Sequence, residues 1–375
     1  MQVRMIYNPV AGHRDAEADV LKAQEYLRSS GWDVELCRTQ QAGDVKRLAR
    51  EARDEGTQLV VAVGGDGTIG QVADGLANSP TRMGVIPVGT GNLWAHMLGI
   101  PVWSTSNRGA IGEAARVLVD GETRPVDLGW ADGRCFLLWA GLGFDARVAS
   151  EIEPHREVRR SLGNLAYLVA GLAQSLVMRG ERTTVIVDGR VYRQRLIMMV
   201  VSNVQLYGPR WELAPQAQLD DGLLDVYLFK GINTVDTFSH LFTLMAGKQG
   251  ADPQIEYYQA RHVSVLADHP LPLHLDGDPA GFTPVNIQVM PRALKVVVPR
   301  WTPNTLFQDG GFEPREEPTL VGRISERLRQ LTDRWQEERN RLQQQLDALR
   351  GVDMSSEAAT SKRSTGSGED VSTGS

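Results

Sequence analysis

Short apolar runs alternate with helical spacings along the first part of the chain. Val3 to Tyr7 reads as a strand closed by Asn8-Pro9, and Ala16, Val20, Ala23 and Leu27 then recur at intervals of three and four. Val34 to Cys37 is the next strand, and Val45, Leu48, Ala49 and Ala52 mark a second helix closed by Gly56. The continuous run Leu59 to Val63 ends in Gly64-Gly65-Asp66-Gly67-Thr68 and passes into a helical set, Ile69, Val72, Ala73 and Leu76. Met83 to Val88 follows and ends in Gly89-Thr90-Gly91-Asn92. Such alternation predicts a parallel sheet with helices on its faces, where ligands collect at the carboxyl ends of the strands. Both glycine turns lie at such ends.

After about residue 123 the pattern becomes strand-rich. Thr183 to Val187 and Val191 to Val201 flank Asp188-Gly189, a strong hairpin signal, and Leu223 to Phe229, Val263 to Ala267, Leu271 to Leu275, Val285 to Val289 and Leu294 to Val298 are further strands. A second, mainly antiparallel domain is expected. Between Arg160 and Arg179 an uncharged stretch carries Leu162, Leu165, Val169, Leu172 and Leu176 at helical spacing. Its Asn, Gln, Ser and Gly content favours a helix packed on a sheet over a membrane span. Beyond Trp301 the chain turns Pro- and Gly-rich (301–319), then predicts a charged helical extension (320–350) that could mediate self-association, and a Ser/Thr/Gly-rich tail (351–375) expected to be disordered.

The 375 residues, 42% hydrophobic and 23% charged, suffice for two cores. A formal charge of −6 argues against general nucleic-acid binding, which draws on clustered Lys and Arg. Cys37 and Cys135 show no C-x-x-C spacing and read as free buried thiols, and the start lacks a signal-peptide apolar segment, so a cytoplasmic protein is expected.

A strand ending in glycines that open a helix suits phosphate, because unpaired N–H groups point outward and small residues allow close approach. Gly65-x-Gly67-x-x-Gly70 matches the dinucleotide fingerprint in letters, but no acid follows about 20 residues on, and there is no G-x-x-x-x-G-K-[ST] loop. The stretch instead resembles the GGDGT motif of the diacylglycerol kinase catalytic-domain family, which includes bacterial lipid kinases and the sphingosine and ceramide kinases. The resemblance extends from Asn8-Pro9-Val10-Ala11-Gly12 through the two glycine turns to Asp220-Asp221-Gly222-Leu223-Leu224-Asp225.

This resemblance implies an α/β protein: an N-terminal doubly wound parallel sheet domain (1–123), to which a last strand (294–299) returns, and a β-sandwich-like lipid-substrate domain (124–293). It implies ATP and Mg²⁺ as cofactors and a lipid presented by a membrane surface as substrate, the protein being peripheral there. Asn8, Thr39, Gly64, Gly65, Asp66, Gly67, Thr68, Ile69, Gly70, Thr90 and Asn92 would hold the nucleotide. Asp66 could be a helix cap, but a carboxylate among phosphate-binding amides would be repelled unless a cation bridged it, which favours a place near Mg²⁺.

Phosphoryl transfer asks for positioning, a cation and a carboxylate to take the nucleophile's proton. Asp276-Gly277-Asp278 resembles the family's D-G-E motif, with Asp278 where Glu is common. Either Asp276 or Asp278 would be the base, and as bare sequence the triplet is also simply a turn. A structural Mg²⁺ would take the Asp221 side chain and the carbonyls of Gln218 and Leu223. Asp145 could face the cleft, and His13, His96 and His274 read as surface or structural. Two alternatives remain open: an NAD kinase-like enzyme, which shares the GGDG turn, and a non-catalytic nucleotide or lipid sensor, favoured by Asp at 278.

Overall fold

The computed structural model describes residues 1–12, 15–143, 180–207, 211–232, 236, 240, 243 and 252–308. The uncharged stretch 161–178, His13, Asp145 and everything after residue 308 lie outside the described residues.

The first half follows the alternation read from the pattern: β1 (Gln2–Tyr7), α1 (Glu17–Ser29), β2 (Asp33–Arg38), α2 (Asp44–Asp54), β3 (Leu59–Gly64), α3 (Asp66–Leu76) and β4 (Arg82–Pro87). Two helices that the pattern above does not single out follow, α4 (Leu93–Leu98) and α5 (Ala110–Asp120). The strands pair in parallel in the order β2-β1-β3-β4. Reversal of direction after β2 puts α1 on one face and α2 and α3 on the other, given right-handed crossovers. Accordingly α1 packs with α5 and α2 with α3. All six residues of β3 are buried, as the unbroken apolar run requires of a central strand covered on both faces.

The second half is antiparallel: β5 (Glu122–Ala131), β6 (Arg134–Phe136), β7 (Trp139–Gly143), β8 (Glu181–Val187), β9 (Arg190–Ser202), β10 (Leu206–Tyr207), β11 (Trp211–Glu212), β12 (Leu224–Lys230), β13 (Ile255–Ala260), β14 (His262–Ala267), β15 (Pro272–Leu275), β16 (Asp278–Phe282) and β17 (Val285–Val298). The Asp188-Gly189 hairpin forms with φ of 44° and 83°, the double positive φ of a type I′ turn. Long β9 pairs first with β8 and then β7 along one edge, and with β12 along the other. Apolar side chains from these strands form a core separate from that under the parallel sheet.

Two expectations are corrected. Val285 to Val289 and Leu294 to Val298 are a single strand, β17, whose register against β5 shifts between Met290 and Leu294. Pro291 has no N–H to donate and Arg292 adopts φ 50°, so the irregularity stays local and pairing resumes beyond it. Its far end pairs in parallel with β4, Lys295 opposite Arg82. The cysteines are free, but both are half-buried rather than buried. Desolvation raises their thiols to about 11 for Cys37 and about 12 for Cys135.

Candidate active site

Parallel pairing of β3 with β4 puts Gly64 opposite Pro87, so the two glycine turns leave the sheet side by side. They touch backbone to backbone: a Cβ on Gly89 would lie 2.4 Å from Gly65 Cα, closer than any real side chain tolerates. The loop after β1 joins them. Asn8 donates its N–H to the Val63 carbonyl (3.0 Å) and its side-chain amide to the Thr68 hydroxyl (3.1 Å). The structure thus brings Asn8, Gly64 to Gly70 and Gly89 to Asn92 together. Thr39, at the end of edge strand β2, donates its N–H to Tyr7 on the same side of the sheet, with β1 between it and the glycine turns.

Asp66 is a helix cap, the role its motif favours less. Its carboxylate accepts the N–H of Leu93 and that of Trp94, both at 3.0 Å, so the helix it caps is α4 rather than its own. One side chain ties the two turns together. Asn92, buried and left-handed at φ 51°, donates to the Gly89 carbonyl (2.7 Å), while its Oδ1 is buried with no protein partner and Thr90 beside it is exposed.

The Asp276-Gly277-Asp278 triplet is a turn, as its letters allow: Leu275 pairs with Asp278, and Asp276 and Gly277 have φ of 53° and 91°. It is also more than a turn. Asp276 accepts the N–H groups of Leu137 (2.8 Å), Leu138 (2.8 Å) and Trp139 (3.1 Å) and lies against α3, where a Cβ on Gly70 would come within 3.0 Å of its Oδ2. The turn of the second half thus reaches the glycine-turn helix of the first. Desolvation pushes the Asp276 carboxyl up to about 6, against the three amides, which lower it. Asp278 is set differently, half-exposed with Arg134 3.9 Å away. His274 is buried and accepts the Gly277 N–H at Nδ1 (3.2 Å), the structural role expected of it.

At the Asp220 to Asp225 turn, Asp221 Oδ1 accepts the Leu223 N–H (2.9 Å) and the Gln218 side chain donates to the Phe307 carbonyl (3.3 Å). Sequence reading missed Asp127, a lone acid within the apolar run of β5. It is wholly buried and accepts the N–H of Gly222 (2.7 Å) and of Arg292 (2.6 Å). Desolvation, with the charges of Asp221 and Asp220 adding, raises it to about 7, and desolvation raises Asp221 and Asp225 to about 6. This concentration of carboxylates, in which the charges of Asp220 and Asp221 raise the proton affinity of their neighbours, has the oxygen chemistry of a hard-cation site. Among the described residues no three His, Cys, Asp or Glu side chains converge on one point, so such an ion would draw on backbone carbonyls and water beside Asp221.

Comparison with known proteins gives the family and the fold. The model of the diacylglycerol kinase catalytic domain matches residues 2–131, and that of the YegS C-terminal NAD kinase beta sandwich-like domain matches residues 139–298. A diacylglycerol kinase of Bacillus subtilis (strain 168) is 31% identical over 302 residues, covering 80% of this chain and 97% of the relative. A Pseudomonas fluorescens protein bearing the name "Probable lipid kinase YegS-like" is 31% identical over 294 residues, covering 78% and 94%. The fold matches the crystal structure of a diacylglycerol kinase from Bacillus anthracis str. Sterne with a TM-score of 0.61 at 22% identity, over 80% of this chain and 98% of that one.

Proposed function

From the premise that the chain belongs to the diacylglycerol kinase catalytic-domain family, a family of lipid kinases, we propose that it transfers the γ-phosphoryl group of ATP, with Mg²⁺, to the hydroxyl of diacylglycerol or a closely similar lipid. The observation that carries this reading is the arrival of Asp276 on the glycine-turn helix, which sets a carboxylate beside a surface suited to phosphate.

In this reading the turns at Gly64 to Gly70 and Gly89 to Asn92 line the phosphates, with Asp66 fixing one turn against the other. The lipid hydroxyl oxygen attacks the γ-phosphorus in line as the bond to ADP breaks, and its proton passes to Asp276. A carboxylate with raised proton affinity is the better acceptor for a hydroxyl proton. Asp278, half-exposed beside Arg134, stands at the mouth of the turn. Mg²⁺ supplies positive charge against the phosphates when bound, and Asp66 has lone pairs left to face it. A second ion at Asp221, with the carbonyls of Gln218 and Leu223, would steady the turn that Asp127 anchors. The lipid would be met at a membrane surface. Among the described residues no helix is long and apolar enough to cross one.

The test is transfer of labelled γ-phosphate to a panel of diacylglycerol, monoacylglycerol, sphingosine, ceramide and NAD. Label in an acylglycerol is the expected result. Label in NAD would assign the enzyme to the NAD kinases, and ATP binding with no label anywhere would turn Asp278 into evidence for a sensor.

A further inference from the structure

The amides that hold Asp276 must themselves be aimed. A trans peptide is planar, with its C=O and N–H pointing in opposite directions, so fixing a carbonyl from one side fixes the amide on the other. The Leu137 carbonyl belongs to the same peptide unit as the Leu138 N–H, and the Leu138 carbonyl to that of the Trp139 N–H. Both carbonyls are gripped by one residue. Asn203, directly after β9 and 1% exposed, donates its side-chain amide to the Leu137 carbonyl (3.0 Å) and its own N–H to the Leu138 carbonyl (2.8 Å). The other hydrogen of the same side-chain amide goes to the Asp127 carbonyl (3.0 Å) on β5.

We propose that Asn203 is a positioning residue for the phosphoryl-transfer reaction, setting the Asp276 carboxylate by orienting the two peptide planes whose N–H groups hold it. The inference rests on the reading of Asp276 as the base. It explains why the position carries an amide: two donors are needed on one planar group, which Asp, Ser, Leu or Val cannot supply. Asn203 also has its Oδ1 buried with no partner, a cost a side chain that merely fills space need not carry. Neighbouring Ser202 provides the contrast, since its hydroxyl bonds Val204 alone, donating to the carbonyl (2.7 Å) and accepting the N–H (3.3 Å), away from the cradle.

The experiment pairs kinetics with direct titration of the Asp276 carboxyl by ¹³C NMR on aspartate-labelled protein, assigned through Asp276→Asn. In Asn203→Ser, kcat is expected to fall about 10- to 100-fold with the KM for ATP within about twofold, as misaligned catalytic groups do. The Asp276 midpoint should move upward as its amides turn away, and Asn203→His, whose ring N–H can stand where the amide nitrogen stood while the serine hydroxyl falls short of it, should fall between. Ser202→Ala should lower the melting temperature and leave both readouts in place. An unmoved midpoint and unchanged kcat per folded Asn203→Ser molecule would overturn the proposal, as would equal changes in Ser202→Ala. If Asn203→Ser does not fold, Asn203→His decides on the same criteria. Should the native protein transfer no phosphate to any lipid, the kinase reading fails by itself while the midpoint still tests the positioning.

Discussion

Replacing Asp276 by Asn keeps shape and removes charge, and the structure makes the two consequences separable. Activity should fall about 10²- to 10⁴-fold, the usual worth of a general base. Stability should behave otherwise. A carboxyl held at about 6 rather than 3.8 disfavours its charged form by up to about 3 kcal/mol at pH 8, and the amide escapes that penalty. Against this, the introduced NH₂ must face an N–H: if the remaining oxygen keeps Leu138 and Trp139, the nitrogen meets Leu137, a mismatch of about 1 to 3 kcal/mol. The terms nearly cancel at pH 8, so the variant should melt within a few degrees of the native protein there. The pH dependence differs in sign. Because the folded-state proton affinity is raised, the native protein loses this contribution as pH climbs from about 4 to about 6, and the Asp276→Asn variant lacks that slope. Native kcat should conversely show an acid limb near 6, since the base must be ionised. The assay is labelled phosphoryl transfer to diacylglycerol in mixed micelles from about pH 5 to 9, beside thermal melts across the same range. Transfer within tenfold of native at pH 8 in a folded Asp276→Asn protein would refute the reasoning.

Three other substitutions test neighbouring contacts. Asp278→Ala, which loses only a half-exposed carboxylate near Arg134, should reduce kcat far less than Asp276→Asn, and the reverse order in the same transfer assay would move the base to Asp278. Gly70→Ala places a methyl 3.0 Å from Asp276 Oδ2 and should cost about 10²-fold in kcat with little loss of helix stability, read from kinetics and far-UV melts. Asp66→Ala should lower stability by about 1 to 2 kcal/mol in urea unfolding and weaken ATP binding at least tenfold by calorimetry, because the turn at Gly89 to Asn92 loses its tie. Unchanged ATP affinity there would show the two turns to be set independently.

Much of the fold was legible because β3 is an unbroken apolar run, β1 and β2 are apolar runs each interrupted by one charge, Arg4 and Glu35, and α1 to α3 repeat their apolar residues at helical spacing. β13 was harder to see, since Glu256 and Gln259 interrupt its alternation, and β17 read as two strands because Pro291 and Arg292 look like a break when they form a local shift in register. At the site, the glycine turns and the Asp-Gly-Asp triplet carry local signals that survive in any reading. Asp66 shows the limit: its partners, Leu93 and Trp94, lie on another helix, and only the pairing of β3 with β4 brings them within reach. Asp127 had a signal, a single acid inside Val126 to Trp130, but a buried acid in a strand points to no partner until the topology supplies Gly222 and Arg292.

β17 joins the two halves by belonging to both: β5 runs antiparallel along it from Ile287 to Val298, β14 pairs antiparallel with its first residues, and β4 pairs in parallel with Lys295 and Val296. A chain cut before Val285 would therefore release more than its last strand. Arg82 and Met83 of β4 would lose their partners Lys295 and Val296, and that flank would be open to strand addition by another copy. Ribosomal synthesis meets the same situation in passing, because the parallel sheet waits for its closing strand until nearly three hundred residues have emerged. Protection of that edge during synthesis is a demand that the order of the strands places on the cell, whatever the mature protein does.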